Sequence, residues 1–482
     1  MNRSLTKNMI LNTIKTAMSI IFPLITFTYA SRVLGTYGIG NVGYSESLIS
    51  YFTLIAGLGI STYGIREVAK VREKKDKMNE LVSELLTINI ITCFITYFLF
   101  VVFLQLSVVQ EYKKILIIQS AVIFLSTIGM EWLFVALEEY KYITVRSIIF
   151  QCIAIIFMFL FVKKTSDYCI YAAICVFASS ASQILNLWYS REFVSIKIHF
   201  SSKLKKHIKP IMIIFGTNVA SIIYMSLDTT MLGIMKNVDE VGLYTAATKI
   251  IKIISTILAS ISTVMLPRLS FYIENKMKEK YEELLIDSTN ITLMFSIPCS
   301  FGLAIISKDI LYVFSGKEFE SAYISLIVLA INQIFSSIDR IFAWQILMPV
   351  RKEKIVLIST IVGALSNFIL NIFVIKLLGY VGAAITTMCS EIFVFIVLCW
   401  FCRNMVNIKK MFYNIWQYFL GGAVMVGSVF WINNMINNIY IRVAVSVLIG
   451  GTFYFTCLLL IKNKYIRIVY KKVCSLGRGS IS

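Results

Sequence analysis

The sequence carries little charge for its length, because only 15% of its 482 residues are Asp, Glu, Lys or Arg. Soluble domains carry roughly 25% charged residues. The apolar runs also contain few of the turn-forming residues that interrupt a packed soluble protein. With 58% hydrophobic residues and a mean hydropathy of +0.79, the composition excludes an ordinary soluble domain.

Signatures of catalysis are absent from the sequence as well. The segment around Gly316-Lys317 lacks the earlier glycine and the hydroxyl of a phosphate loop, and neither HExxH nor GxSxG occurs. An ATP-driven pump is therefore excluded for this chain alone, and we expect no catalytic residues and no enzyme activity. The two histidines are isolated, and the ten cysteines lie mostly in apolar runs typical of buried thiols. We therefore expect no metal site.

Long apolar runs rich in Ile, Leu and Phe are what the sequence has in abundance. A helix of about 20 apolar residues crosses ~30 Å of hydrocarbon, whereas a membrane β-barrel alternates in roughly 10-residue segments. The sequence therefore predicts an all-α polytopic membrane protein with about 14 transmembrane helices. The predicted spans are 8–31, 41–63, 82–105, 115–137, 147–162, 168–190, 211–233, 242–266, 288–311, 321–348, 355–378, 380–402, 411–432 and 439–461.

The Lys and Arg residues that give the net charge of +20 lie mostly in the connections between these spans. With a cytoplasmic N-terminus, 32 Lys and Arg residues fall on the cytoplasmic side and ten on the other, with Lys141 and Arg146 in one cytoplasmic connection. The positive-inside rule then predicts that both termini are cytoplasmic. Anionic lipid headgroups are the general partner that this distribution predicts, and nucleic acid is not expected as a partner. Because no connection is long enough for a soluble domain, we expect the function to be performed within the bilayer.

Two segments about 200 residues apart resemble each other, namely RVLGTYGIGNVGY at 32–44 and TMLGIMKNVDEVGLY at 230–244. Both copies have the same predicted orientation, which indicates the parallel repeats that many transporters contain. We expect two parallel-repeat six-helix lobes around a central cavity, at residues 1–200 and 201–405. Residues 406–482 would form two extra helices and a basic cytoplasmic tail.

Five stretches carry a resemblance to a known family: FPLITFTYASRVLGTYGIG, GLGISTYGIREVAKVRE, WLFVALEEYKYITVRS, IIYMSLDTTMLG and YVGAAITTMCSEIFV. They resemble the polysaccharide transport family of Wzx-type flippases, in the superfamily that also contains the MATE exporters and the lipid II flippase MurJ. The likeness extends from about residue 10 to about residue 400.

This resemblance implies a flippase that moves undecaprenyl-pyrophosphate-linked oligosaccharide repeat units from the inner to the outer leaflet by alternating access. The product would be a surface polysaccharide such as O-antigen or capsule, and the membrane would be the bacterial cytoplasmic (inner) membrane. The implied partners are the lipid-linked oligosaccharide, membrane lipids and other polysaccharide assembly proteins.

Cationic residues within the predicted spans are candidates for lining a hydrated cavity that accepts an anionic pyrophosphate. Lys249 and Lys252, at i and i+3, share one face of the eighth span roughly 12 and 16 Å from its outer end. Lys15 and Arg340 lie within the first and tenth spans, and Arg32 lies at the outer end of the first. Two alternatives remain: Lys15 could snorkel to the cytoplasmic interface, and Arg32 could be an interfacial anchor.

Three acidic residues at membrane depth, Asp228, Asp339 and Glu391, are candidates for gating or ion coupling. Asp228 could pair with Lys249 or Arg32 and hold a gate closed, bind a proton or Na⁺ that drives turnover, or join two helices. It matches an aspartate typical of the seventh helix of the family that the sequence resembles. No cofactor is expected apart from such a coupling ion, H⁺ or Na⁺.

Other functions stay open at this point. A MATE-like ion-coupled exporter of small molecules would need mostly acidic cavity residues, and a MurJ-like lipid II flippase differs only in its motif pattern. A membrane polysaccharide polymerase would carry catalytic groups on a large outer loop, which the sequence lacks. Glu131 and Trp132 are expected in the interfacial belt rather than in a substrate site.

Overall fold

The computed structural model describes residues 5–197 and 204–467, and every regular element within these ranges is helical. The prediction of an all-α protein is therefore confirmed. His199, the lobe boundary at 200/201 and the tail after residue 467 lie outside the described ranges.

The described chain separates into two compact units, residues 1–242 and 243–482. The predicted division at residues 1–200, 201–405 and 406–482 stays a prediction. In the first unit the helices are α1 Leu5–Gly57, α2 Ile60–Val71, α3 Lys75–Phe103, α4 Lys113–Gly129, α5 Glu131–Ala136, α6 Tyr140–Phe161, α7 Tyr168–Val176, α8 Gln183–Tyr189 and α9 Lys205–Met235. A π-helical turn, Phe177–Ala181, separates α7 from α8.

The second unit contains the remaining helices, and α10 begins a few residues before its boundary. A π-helical turn, Phe342–Leu347, follows α13 directly. The helices are α10 Val238–Glu274, α11 Lys278–Ile305, α12 Ser307–Ser315, α13 Tyr323–Ile341, α14 Glu353–Cys402, α15 Ile408–Met411, α16 Ile415–Met435 and α17 Ile439–Leu460.

Twelve helical segments of the described chain are long and apolar enough to cross a membrane. Helices are the expected solution, because lipid offers no partner for a backbone N–H or C=O group. Ten of the segments each overlap one predicted span, and the two longest, Thr13–Val71 with 59 residues and Glu353–Cys402 with 50, each overlap two. Each of these two is long enough for two crossings of about 20 residues. The count of fourteen and the cytoplasmic termini stay predictions.

A left-handed glycine interrupts each of the two longest segments. Gly35 has φ 65° and ψ −173°, and Gly379 has φ 55° and ψ −133°. Residues with a Cβ atom avoid such positive φ values. Each glycine follows a leucine and lies at the point where two predicted spans meet, as LGTYG in α1 and LGYVG in α14. Both kinks therefore occur at a leucine–glycine pair.

Candidate functional site

Lys15, on α1, pairs with Glu131 at the start of α5. The Lys15 Nζ to Glu131 Oε1 distance is 2.5 Å, and both side chains are about one-third exposed. Trp132, the next residue, is buried against Gly64. The expectation that Glu131 and Trp132 belong to the interfacial belt stays a prediction, although the Trp132 ring packs inside the first unit. Glu131 gives Lys15 a partner within the first unit.

Arg146 completes this cluster from α6. Its side chain is only 4% exposed, and Arg146 Nη2 lies 3.4 Å from Glu131 Oε2. It also donates to the side chain of Asn186 and to the carbonyl of Ser182, while Gln183 Nε2 donates to Glu131 at 2.8 Å. The structure extends α6 back to Tyr140, so that Arg146 lies on this helix, six residues after its start. Its predicted place on the cytoplasmic side stays a prediction.

Asp228 is buried on α9 and packs in a polar seam against α1. The Thr230 hydroxyl donates to Ser47 Oγ at 3.1 Å, and the Tyr51 and Thr230 hydroxyls are also 3.1 Å apart. Asp228 interacts electrostatically with Tyr51. This seam places Asp228 at a helix–helix contact of the first unit, while its pairing with Lys249 or Arg32 stays a prediction. Arg32 itself is exposed on α1.

Lys249 and Lys252 lie on α10 in a polar face that continues along the helix. Lys252, Ser260 and Thr263 are exposed, and Lys249 and Thr256 are half-buried. The spacing of these positions by three or four residues puts them on one side of the helix. Only 17% of the most apolar window of this segment is buried. The cationic pair predicted from the sequence therefore belongs to a polar face of a largely uncovered helix.

Asp339, Arg340 and Glu391 come together in the second unit. Both Asp339 and Arg340 interact electrostatically with Glu391, which lies on α14. Asp339 is buried, and neither carboxylate oxygen has a hydrogen bond of acceptable geometry within the described chain. Two neighbouring carboxylates in an apolar surrounding repel each other unless a proton or a cation lies between them. The geometry therefore suits a group that binds a small cation or a proton.

The sequence did not indicate the partners of His207, which is buried at the start of α9. Its Nε2 lies 2.8 Å from Glu84 Oε2 on α3, and its Nδ1 lies 2.9 Å from the Tyr63 hydroxyl on α2. Lys206 Nζ is 2.9 Å from the same Glu84 oxygen. These residues are far apart in sequence, so only packing brings them together. The cluster joins three helices of the first unit.

Residues 5–197 and 204–467 contain no cluster of three or more His, Cys, Asp or Glu side chains suited to a metal ion. Cys399 and Cys402, spaced as CxxC on α14, are free thiols. The coupling of transport to a monovalent ion or a proton stays a prediction.

Comparisons with known proteins agree with this fold. A family described as "Polysaccharide biosynthesis protein" matches residues 5–273, and the MatE family matches residues 213–373. The structure resembles that of the lipid II flippase MurJ in an inward closed conformation, with a TM-score of 0.76 and 20% identity, over 95% of this chain and 100% of that one.

Two curated relatives are similar in sequence. A protein of Escherichia coli (strain K12) named as an O-antigen transporter is 23% identical over 412 residues, which is 83% of this chain and 97% of the relative. A Haloferax volcanii protein named as a low-salt glycan biosynthesis flippase is 24% identical over 245 residues, 51% of this chain and 52% of the relative. Because the family match covers more than half of the chain and agrees with the motifs, this multi-pass membrane protein belongs to the polysaccharide biosynthesis protein family.

Proposed function

We propose that this protein is a flippase for undecaprenyl-pyrophosphate-linked oligosaccharide repeat units, which it moves from the inner to the outer leaflet of a bacterial cytoplasmic membrane by alternating access. The repeat units would serve a surface polysaccharide such as O-antigen or capsule. The family and the two named relatives support this class of substrate. The protein would be a transporter and not an enzyme.

The observation that carries the proposal is the polar face of α10. Lys252 is 14 residues from the start of this helix, roughly 20 Å along its axis at 1.5 Å per residue. An exposed ammonium group at that depth is costly in lipid, and such groups usually face a water-filled cavity. The hydroxyl side chains of Thr256, Ser260 and Thr263 continue the same face. A hydrated, cationic surface of this kind suits a pyrophosphate with an attached glycan.

The energy for transport would come from an ion rather than from ATP, because the sequence has no phosphate loop. The Asp339 and Glu391 carboxylates are the strongest candidates for binding a proton or Na⁺, since they lie together without a saturating set of donors on Asp339. Arg340, beside them, could neutralise one of the two carboxylates and so set how many cations the pair binds.

Exchange of Lys249 and Lys252 for alanine tests the substrate role of the polar face. Charge-assisted contacts to pyrophosphate are worth about 1.5–3 kcal/mol each, so the double variant should reduce flipping by about a hundredfold or more. Surface glycan and protein abundance would be measured together in the native host. Lys→Arg at both positions should retain part of the activity.

Lys278→Ala is the matched control, because the Lys278 side chain is 83% exposed at the start of α11. Accessibility of single repeat units to an external lectin in spheroplasts then separates a flippase from a polymerase. A flippase defect keeps the units inside, whereas a polymerase defect leaves unpolymerised units outside. Normal surface glycan in the double variant, at normal abundance, would rule the substrate role out.

A further inference from the structure

A groove of about 460 Å³ lies on the first unit between α6 and α8. Its lining includes Lys141, Tyr142, Arg146 and Tyr189, together with apolar residues such as Val145 and Leu185. None of these residues is needed for the transport role proposed above. The groove therefore calls for a separate explanation.

The rim of the groove is apolar and faces outward. Val145 is 47% exposed, Ile149 50% and Leu185 45%, and all three lie on segments apolar enough to span a membrane. Apolar side chains exposed on such segments are expected to contact acyl chains, because lipid surrounds the outer face of a membrane protein. A molecule that enters the groove must therefore tolerate hydrocarbon on one side.

The floor of the groove is polar. The Arg146 guanidinium lies 5.5 Å from the centre of the Tyr142 ring, which in turn packs against the Tyr189 ring at 4.1 Å. The Tyr142 hydroxyl and the Arg146 guanidinium also interact with each other, through their charges and through a side-chain hydrogen bond. The floor of the groove is therefore polar and carries a cation.

The charge around the floor is positive. Among the lining residues, Lys141 and Arg146 are cations and Glu139 is a carboxylate. Two cations against one carboxylate leave one net positive charge on the lining. The ligand group is therefore anionic rather than cationic, and Lys141, which is exposed, is the cation that it meets first.

We propose that this groove binds an anionic phospholipid, with the headgroup phosphate at Lys141, Tyr142 and Arg146 and an acyl chain along Val145, Ile149 and Leu185. A basic pocket between transmembrane helices is a common binding site for lipid headgroups. The groove lies at the end of α6 that the distribution of basic residues predicts to be cytoplasmic, where anionic lipid headgroups are expected. A free phosphate ion would meet the same cations but would gain nothing from the apolar rim.

Native mass spectrometry of the full-length protein in detergent tests the proposal. The protein is titrated with phosphatidylglycerol and with phosphatidylcholine of the same acyl chains. We expect the first lipid bound to be phosphatidylglycerol, with about tenfold weaker binding in Tyr142→Phe, since one hydrogen bond to a charged group is worth about that factor. Tyr142→Phe also removes the hydrogen bond between the hydroxyl and Arg146, so its melting temperature is measured alongside its lipid affinity.

Two further variants fill the groove or remove a charge from it. Neither changes Arg146, on which the stability of the Glu131 cluster depends. Val145→Trp should fill the groove and abolish the preferred lipid, and Lys141→Gln should weaken it. The matched controls are Ile156→Trp on α6, at a position 56% exposed, and Lys163→Gln, just beyond the end of α6 that is opposite to the groove. Both controls should bind phosphatidylglycerol as the wild type does.

Three results would overturn the proposal. The first is equal binding of phosphatidylglycerol to Val145→Trp and to the wild type. The second is equal affinity of the wild type for phosphatidylcholine and phosphatidylglycerol, which would remove the anionic headgroup from the explanation. The third is displacement of phosphatidylglycerol by an equal concentration of inorganic phosphate, which would indicate a site for a soluble anion.

Discussion

Glu84 in the first unit and Asp339 in the second are equally buried, each 6% exposed, but their surroundings differ. Glu84 accepts from Lys206 at 2.9 Å and lies 2.8 Å from His207. Asp339 accepts no hydrogen bond of acceptable geometry from the described chain and lies within electrostatic range of a second carboxylate, Glu391. A buried carboxylate with charged donors stabilises the fold, whereas one without them keeps its capacity for a proton or a cation.

The second unit does not simply lack donors for its acids. Asp309, on α12, accepts two hydrogen bonds from Arg442, on α17, at 2.5 and 2.6 Å. This bidentate pair is among the stronger contacts that a carboxylate can make. The lack of hydrogen-bond donors around the Asp339 carboxylate is thus a property of its own position, next to the π-helical turn that follows α13. The difference between the two kinds of acid can be tested by substitution.

Replacement of Glu131 by alanine should have the largest effect on stability. Arg146 would then be left buried without a counterion. Removing one partner of a buried ion pair costs roughly 3–5 kcal/mol. We expect a loss near the lower value, because the Glu131 side chain is one-third exposed. The melting temperature of the purified protein would be compared with that of Glu138→Ala. Glu138 pairs with Arg72 at 2.7 Å on the surface, with both side chains at least 40% exposed, so its loss should cost less than about 1 kcal/mol. Equal losses in the two variants would contradict the role of the Glu131 cluster.

Glu84→Gln should have an intermediate effect. The amide keeps the shape of the side chain but weakens the contacts with Lys206 and His207, which should cost about 1–3 kcal/mol. Thermal unfolding would measure the loss, and Tyr63→Phe, which removes only the hydroxyl contact to His207, should cost less. A melting temperature unchanged by Glu84→Gln would show that the cluster does not stabilise the contact between α3 and α9.

Asp339→Asn should have the smallest effect on stability and a large effect on transport. The amide can keep the side-chain hydrogen bond to Glu391 and removes one charge from a repelling pair, so the free energy of unfolding should change by less than about 1 kcal/mol. Flipping should become slow and lose its dependence on the H⁺ or Na⁺ gradient, measured in vesicles with each gradient imposed separately. A destabilised Asn variant that retains gradient-dependent transport would make Asp339 a structural residue like Glu84.

Part of the site was accessible from the sequence. A charge inside an apolar run is visible without any structure, which is how Lys15, Asp228, Lys249, Lys252, Asp339 and Glu391 were selected. They were selected because a charge at membrane depth is costly in lipid and usually faces a partner or a water-filled cavity. The sequence could not say which of them have partners. Lys15 and Glu131, for example, are 116 positions apart, and no local pattern links them.

The sequence by itself determined the helical spans, because each helix must satisfy its own backbone in lipid and so shows its length in local hydropathy. It also determined the family, through the motifs that carry the resemblance. Tertiary packing alone decided that Arg146 is buried, that His207 lies between Tyr63 and Glu84, and that Asp339 lies beside Glu391. The physical reason is that a transmembrane helix forms independently of its neighbours, whereas the partner of a side chain depends on which helix face packs against it.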